Sequence, residues 1–185
     1  MTSFILIRHA EAPWSEDEGR PLSAAGARAA ELLPERLDGL AIDAIYSSPY
    51  RRALETASPL AERRGLLVSE VPDLRERALG SYRCASFEEA VAATWSDFDL
   101  AHPGGESSRC AQRRALSVVG GLARRHPSQT VALATHGNLL ALVLNSFDPS
   151  VGFEFWSSLA IPDVFELRLL PSGAGVFRRI EEGAV

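Results

Sequence analysis

The chain has 185 residues, a length that suits one domain built around a single hydrophobic core. Hydrophobic residues make up 46% and charged residues 23%, as is ordinary for a globular protein. The net charge of -5 argues against nucleic acid or an anionic membrane as the main partner. We therefore expect one domain over residues 1–185 that binds any anionic ligand through locally concentrated cations.

The cysteines and the apolar segments indicate the cellular compartment in which the protein is expected. Cys84 and Cys110 are the two cysteines, too few for a disulfide framework, so we expect reduced thiols in a cytoplasmic protein. Arg8 closes the short N-terminal apolar run at once, which argues against a signal peptide. The later apolar stretch from Val131 to Leu144 contains polar residues and is too short to span a bilayer.

The first half of the chain alternates predicted strands with predicted helices. The run Phe4 to Ile7 is apolar throughout, which is typical of a strand buried on both faces. Apolar spacing predicts a helix from Ser23 to Leu40, with Ser23 as its N-cap. A second strand is predicted at Ile42 to Tyr46, followed by a helix from Tyr50 to Arg64.

The second half continues the alternation and ends in a hairpin. It contains two predicted helices, a buried strand between them, and two terminal strands around a turn at 171–173: Ser107 to Arg125, Val131 to Ala134, Asn138 to Ser146, Asp163 to Leu170 and Gly175 to Ile180. Alternating strands and helices predict an α/β fold with a mostly parallel central sheet and helices on both faces.

Ligands of such sheets bind beyond the carboxyl ends of the strands. Two histidine segments lie at predicted strand ends, Arg8-His9 and Thr135-His136-Gly137. Either histidine alone is more often structural, but two imidazoles at the carboxyl ends of buried strands favour a functional site.

Two further segments carry charged residues suited to a phosphate site. The segment Ser47 to Ala57 places arginines where a helix begins, at an end that already favours anions, although solvated arginines are the plainer interpretation. Glu76 lies between Arg75 and Arg77, which is usually a surface ion-pair cluster but in a phosphate site supplies a general acid.

Together these segments resemble the histidine phosphatase superfamily, which includes the phosphoglycerate mutases. The resemblance covers Phe4 to about Leu167 and implies a phosphoglycerate mutase-like three-layer sandwich. It rests on six segments in the family's order: Arg8-His9-Ala10-Glu11, Arg20 to Gly26, Ser47 to Ala57, Leu74-Arg75-Glu76 with Gly80, Pro103 to Ser107, and Thr135-His136-Gly137.

The resemblance implies a phosphomonoester phosphatase that acts on a small phosphorylated metabolite through a phosphohistidine intermediate, without metal or other cofactor. In that scheme His9 attacks phosphorus, Glu76 protonates the leaving oxygen, and His136 contributes to catalysis by binding the phosphoryl group. The other predicted phosphate ligands are Arg8, Arg52, Ser15 and Gly137. Arginine forks suit phosphate geometry, and phosphoryl transfer depends mainly on positioning and charge stabilisation.

The sequence departs from the family pattern at several positions. Ala10 replaces a glycine, which would be strained if the backbone there had a positive φ. Ser15 stands where many members have an asparagine that touches phosphate, and Arg83 adds a cation after the acid loop. Trp95 and Trp156 are interpreted as packing residues.

Other functions remain open at this stage. A metal site is disfavoured because Arg8 and Arg52 would repel a dication. A mutase is disfavoured because the mutases of the family it resembles have an insertion between the acid loop and the second histidine. Here Glu76 and His136 are only 60 positions apart (136 − 76), which implies a more open pocket and water as the acceptor. A phosphate- or phosphoprotein-binding module without turnover is the third alternative, and the substrate and oligomeric state stay undetermined.

Overall fold

The computed structural model describes residues 1–15, 17–170 and 172–181. In the first half of these residues the strands are β1 (Ser3–Arg8), β2 (Ala44–Ser47) and β3 (Val68–Glu70), and the helices are α1 (Ala24–Arg36), α2 (Arg51–Arg64) and α3 (Phe87–Ser96). A short 3₁₀ turn, Pro72–Leu74, follows β3. The second half holds α4 (Ser108–Arg125), β4 (Thr130–Thr135), α5 (Gly137–Asn145), α6 (Phe153–Ser157), β5 (Asp163–Leu169) and β6 (Gly175–Arg179).

The strands form one six-stranded sheet in the order β3-β2-β4-β1-β5-β6. The four strands β1 to β4 are mutually parallel, with Phe4 paired to Val131, whereas β5 runs antiparallel to β1 and to β6. The prediction of a mostly parallel central sheet is therefore confirmed.

Successive side chains of β1 enter two different cores, because neighbouring residues of a strand point to opposite faces. Phe4 and Leu6 pack with α3, α4 and α5, while Ile5 and Ile7 pack with α1 and α2. All four side chains are at most 2% exposed. The helices thus cover both faces of the sheet, as the predicted three-layer sandwich requires.

The main differences from the predicted elements concern ends and short segments. The first helix does begin after Ser23, whose side chain accepts from the Gly26 N–H, but it ends at Arg36 rather than Leu40. The residues 37–40 form turns instead. The elements β3, α3 and α6 are not among those predicted, and Pro171 of the predicted hairpin turn lies outside the described residues.

Two smaller observations complete the fold. Cys84 and Cys110 are both free. Within the described ranges, no helix is both long enough and apolar enough to cross a membrane.

Candidate active site

A pocket of about 570 Å³ opens at the carboxyl ends of β1, β2 and β4. It is where the strand-end rule for parallel sheets places a ligand. Its walls include six of the residues predicted for the site: Arg8, His9, Ser15, Arg52, Glu76 and Gly137. The seventh, His136, is fully buried beneath the pocket and in ring contact with His9.

Both ring nitrogens of His9 have hydrogen-bond partners. Arg52 Nε donates to His9 Nε2 at 3.1 Å, and His9 Nδ1 lies 2.7 Å from the Ala10 carbonyl oxygen. A guanidinium can only donate, so Nε2 must be the acceptor and Nδ1 must carry the proton. The ring is therefore held as the neutral tautomer with a lone pair on Nε2, the form that a nucleophilic histidine needs.

The surroundings keep this ring neutral. The pKa of His9 is lowered to about 3, mainly by burial and in smaller part by the charges of Arg52, Arg8 and Arg20, while the hydrogen bond to Ala10 acts in the opposite direction. A cationic environment thus leaves His9 unprotonated at neutral pH.

The His136 ring contacts the His9 ring edge-on, with ring centroids 5.1 Å apart. Its Nε2 is 2.8 Å from the Ser48 hydroxyl, and its Nδ1 is buried with no partner. Burial lowers the pKa of His136 well below its usual value, and repulsion from His9 and Arg52 adds to this effect. His136 is also the N-cap of α5, so the end of β4 and the start of α5 fix its position together.

Arg8 and Gly137 are matched by shape. Arg8 Nη1 donates to the Leu159 carbonyl at 2.8 Å, and its Nε is buried without a partner. A Cβ at residue 137 would lie 2.9 Å from that Nε. Glycine at this position therefore leaves room for the Arg8 guanidinium.

Arg20 also belongs to the site, although the sequence predicts it only as part of the segment Arg20 to Gly26 and not as a phosphate ligand. It lines the pocket, its Nη1 donates to the Ser15 and Asp17 carbonyls, and its Nε is buried without a partner. It is one of the three arginines that lower the pKa of His9. The position of Arg20 ahead of a helix N-cap was the available signal, but the resemblance assigned it no role.

The Glu76 carboxylate binds the start of α5. One oxygen accepts from the Arg77 and Leu139 N–H groups, both at 2.9 Å, and the other accepts from the Asn138 N–H at 3.0 Å. This is the favourable placement of an anion at a helix N-terminus. The contact ties the Glu76 loop to the helix that His136 caps.

Arg114 of α4 holds the same loop from behind. It donates to the carbonyls of residues 73, 75 and 76 and forms a bidentate pair with Glu106, at 2.8 Å on both oxygens. Glu106 is therefore engaged by Arg114 outside the pocket lining, and its role is to position the loop that carries Glu76.

Aromatic side chains form the outer wall of the pocket. Trp14 is 82% exposed, Phe87 is 51% exposed, and Phe87 lies 6.3 Å from Trp156 between ring centroids. Trp95 is buried in the core as predicted. Trp156 packs against the same core, as predicted, and it also lines the pocket.

The departures from the family pattern have simple outcomes at two positions. Ala10 is fully buried and has no positive φ, so it replaces the glycine without backbone strain; among the described non-glycine residues only Ser128 has one. Arg83 is exposed and does not line the pocket. Ser15 lines it, but its hydroxyl already accepts from the Asp17 N–H at 3.1 Å.

Comparison with protein families agrees with this geometry. Residues 4–173 match the family described as histidine phosphatase superfamily (branch 1). The chain belongs to this superfamily.

Its relatives in the superfamily include phosphatases. The chain is 31% identical to phosphoserine phosphatase 1 of Hydrogenobacter thermophilus over 151 residues, which covers 74% of this chain and 71% of the relative. It is 32% identical to a metal-independent phosphoserine phosphatase of Arabidopsis thaliana over 161 residues, covering 77% and 67%. The solved structure of mycobacterial glucosyl-3-phosphoglycerate phosphatase Rv2419c superposes with a TM-score of 0.76 at 26% identity over 96% of both chains.

The lining of the pocket is rich in cationic side chains. Among residues 1–15, 17–170 and 172–181, no group of three or more His, Cys, Asp or Glu is arranged to hold a metal ion. Four arginines line the pocket: Arg8, Arg20, Arg52 and Arg77.

Proposed function

We propose that this histidine phosphatase hydrolyses phosphomonoesters of small metabolites through a phosphohistidine formed on His9. The observation that carries the proposal is the hydrogen bonding of the His9 ring, which leaves the lone pair on Nε2. Phosphatases among the relatives support the reaction class.

In the first step the Nε2 lone pair attacks phosphorus, and the bond from phosphorus to the ester oxygen breaks. In the substrate-free site Arg52 donates to Nε2 itself, so a phosphoryl oxygen must replace that nitrogen as its acceptor. Arg8, Arg20 and Arg52 then hold the phosphoryl oxygens as negative charge develops. Arg52 remains charged for this role, because burial and Arg20 lower its pKa only to about 10.

Glu76 enters this step in its protonated form and delivers that proton to the departing oxygen. Its two oxygens accept three backbone N–H groups, which leaves acceptor capacity for a proton, since a carboxyl group offers about four lone-pair sites. In the second step water attacks the phosphohistidine, Glu76 takes a proton from that water, and the phosphorus–nitrogen bond breaks. The products are the alcohol and inorganic phosphate, and His9 regains its lone pair.

The reaction as proposed uses no metal ion. The guanidiniums that surround His9 supply the positive charge that a dication supplies in other phosphatases. We therefore expect a chelator such as EDTA to leave the rate unchanged.

The test is to trap the intermediate and to remove the nucleophile. With a radiolabelled phosphomonoester and an alkaline quench, peptide mapping should find label on His9. His9→Ala should lose at least about 1,000-fold in kcat, as expected for a nucleophile that acts in both steps. His102→Ala is the control, since His102 lies outside the pocket lining.

The outcomes separate the alternatives. Activity of His9→Ala within tenfold of the parent would exclude His9 as the nucleophile. Label transferred back to an alcohol rather than to water would indicate a mutase. Binding of phosphate without turnover of any ester would indicate a binding module.

A further inference from the structure

Arg20 differs from the other two arginines of the phosphoryl site in what holds it. Arg8 ends a strand and Arg52 lies in the first turn of a helix, whereas Arg20 lies in the connection between β1 and α1. Its Nη1 donates to the Ser15 and Asp17 carbonyls of that same connection. Contacts within its own loop do not fix Arg20 relative to the sheet, because loops move more readily than the elements they join.

Arg20 and Arg52 also repel each other. Both line the pocket, and the charge of Arg20 is, after burial, the largest cause of the lowered pKa of Arg52. Two like charges on separate segments move apart unless another contact holds the segments together. Arg52 is 4% exposed and belongs to α2, so the repulsion acts mainly on the loop that carries Arg20.

Tyr50 and Glu18 connect these two segments. Tyr50, the N-cap residue of α2, donates its hydroxyl to Glu18 Oε1 at 2.6 Å, two residues before Arg20 in the chain. The centroid of the Tyr50 ring lies 4.8 Å from the Arg52 guanidinium carbon and 5.0 Å from the His136 ring centroid. Tyr50 therefore contacts the loop with its hydroxyl and the phosphoryl site with its ring.

The charges at this contact act in the same direction as its geometry. The Glu18 carboxylate attracts Arg52, whose pKa it raises against the effects of burial and Arg20. Burial and the hydrogen bond to Glu18 raise the pKa of Tyr50 to about 12, so the phenol keeps its donor proton at neutral pH. A hydrogen bond to a carboxylate is stronger than one between neutral groups.

We propose that the hydrogen bond from Tyr50 to Glu18 holds Arg20 at the phosphoryl group against the repulsion from Arg52. Tyr50 and Glu18 are positioning residues in this role, because they act through Arg20 rather than on the phosphoryl oxygens. The inference rests on the function proposed above, in which Arg20 is one of the phosphoryl ligands.

Binding of inorganic phosphate, measured by calorimetry, tests this contact without requiring turnover. Tyr50→Phe keeps the ring against Arg52 and removes the hydrogen bond, and it should raise the Kd of phosphate by about 3- to 10-fold, the range of one net hydrogen bond. Tyr46→Phe is the matched control. It also removes a hydroxyl that is hydrogen-bonded, to His126 Nε2 at 2.9 Å, but Tyr46 lies outside the pocket lining, so the Kd should change by less than twofold.

Double-mutant cycles then separate positioning from a general loss of structure. Arg20→Gln should itself weaken phosphate binding by more than Tyr50→Phe does. Adding Tyr50→Phe to Arg20→Gln should change the Kd by less than twofold, because the residue that the hydrogen bond positions is already absent. The same small change is expected when Tyr50→Phe is added to Glu18→Ala, which removes the acceptor.

Each result decides the inference. A folded Tyr50→Phe that binds phosphate as the parent does contradicts it. A full effect of Tyr50→Phe in the Arg20→Gln background also overturns it, since Tyr50 would then act by another route. If Tyr50→Phe does not fold by circular dichroism, the cycle of Glu18→Ala with Arg20→Gln replaces it. Phosphate binding with the expected coupling but no turnover of any ester would support the positioning contact and defeat the proposed function instead.

Discussion

The inner half of the pocket is built on strand ends, and the outer half is built on loops and a short helix. The inner, phosphoryl half contains Arg8 at the end of β1, His9 directly after it, Arg52 in the first turn of α2 and His136 directly after β4. The outer, leaving-group half contains the loop from Glu76 to Gly80 together with Phe87 and Trp156. Arg52 and His136 are at most 4% exposed, whereas Phe87 is 51% exposed.

This difference separates chemistry from selectivity. Side chains at the ends of buried parallel strands are held by the whole sheet, so their geometry suits a fixed phosphoryl-transfer site. Loops at the mouth change more readily between proteins of one fold, and they are where substrate preference is adjusted. Glu76 connects the halves, because its carboxylate binds the N-terminus of the helix that His136 caps.

The largest expected effect in this comparison comes from Arg52. Arg52→Ala removes a buried guanidinium that contacts His9, the proposed nucleophile, and it should lower kcat/KM by about 100- to 1,000-fold for every phosphomonoester. Arg51→Ala is the matched control: Arg51 is exposed and pairs with Glu55, so the loss should stay below about twofold. Steady-state phosphate release measures both.

Equal losses for the two arginines would mean that the helix start, rather than one guanidinium, supports catalysis. A loss confined to one substrate would mean that Arg52 acts on the leaving group rather than on the phosphoryl group.

The residues of the phosphoryl half were predictable from the sequence for a physical reason. Runs such as Phe4 to Ile7 mark buried strands, and their ends are the places where such a sheet binds ligands. The motifs then distinguished Arg52 from Arg51, and the structure buries the first and exposes the second. The catalytic roles themselves remain predictions.

The leaving-group half was less predictable because its parts lack a periodic pattern. Trp156 lies on the five-residue helix α6, none of whose residues is buried, so no apolar stripe marks it. β3 has three residues at a sheet edge, and two of them are exposed. Arg77 reads as a surface charge in sequence, and only its contacts show that it is buried and unpaired.

A smaller and substrate-dependent effect should follow from Glu76→Gln. An alkoxide needs a proton on leaving and a nitrophenolate does not, so hydrolysis of an alkyl phosphate should slow by about 100-fold more than that of p-nitrophenyl phosphate. The amide nitrogen would also face a backbone N–H at the start of α5, which should cost about 1 kcal/mol in the free energy of unfolding. Rates with both substrates and urea unfolding measure the two effects.

Glu106→Gln separates the acid from its supporting loop. Glu106 contacts Arg114 and not the pocket, so its loss should loosen the Glu76 loop and slow both substrates by similar, smaller factors. A burst of nitrophenol would show that hydrolysis of the phosphohistidine limits the rate of Glu76→Gln. If this variant slows both esters equally and shows no such burst, Glu76 acts by positioning α5 and is not the acid.

The smallest effect concerns stability against pH and comes from the neutral histidine of the phosphoryl half. The pKa of His9 is lowered to about 3 in the folded chain, against about 6.5 in an unfolded one. Between these values the unfolded chain binds a proton that the folded chain does not, so unfolding becomes easier as pH falls. His9 should contribute a slope of at most about 1.4 kcal/mol per pH unit within that window and none above it. The pKa of His136 is lowered in the same way.

Urea unfolding at several values between pH 6.5 and 4 should therefore show a shallower loss of stability for His9→Ala than for the parent, whatever the difference at pH 7. Trp14→Ala changes the same pocket without removing a proton site, and its slope should equal that of the parent. Parallel slopes for the parent and His9→Ala would mean that His9 is protonated in the folded protein at mildly acidic pH, and it could not then attack phosphorus as a neutral imidazole there.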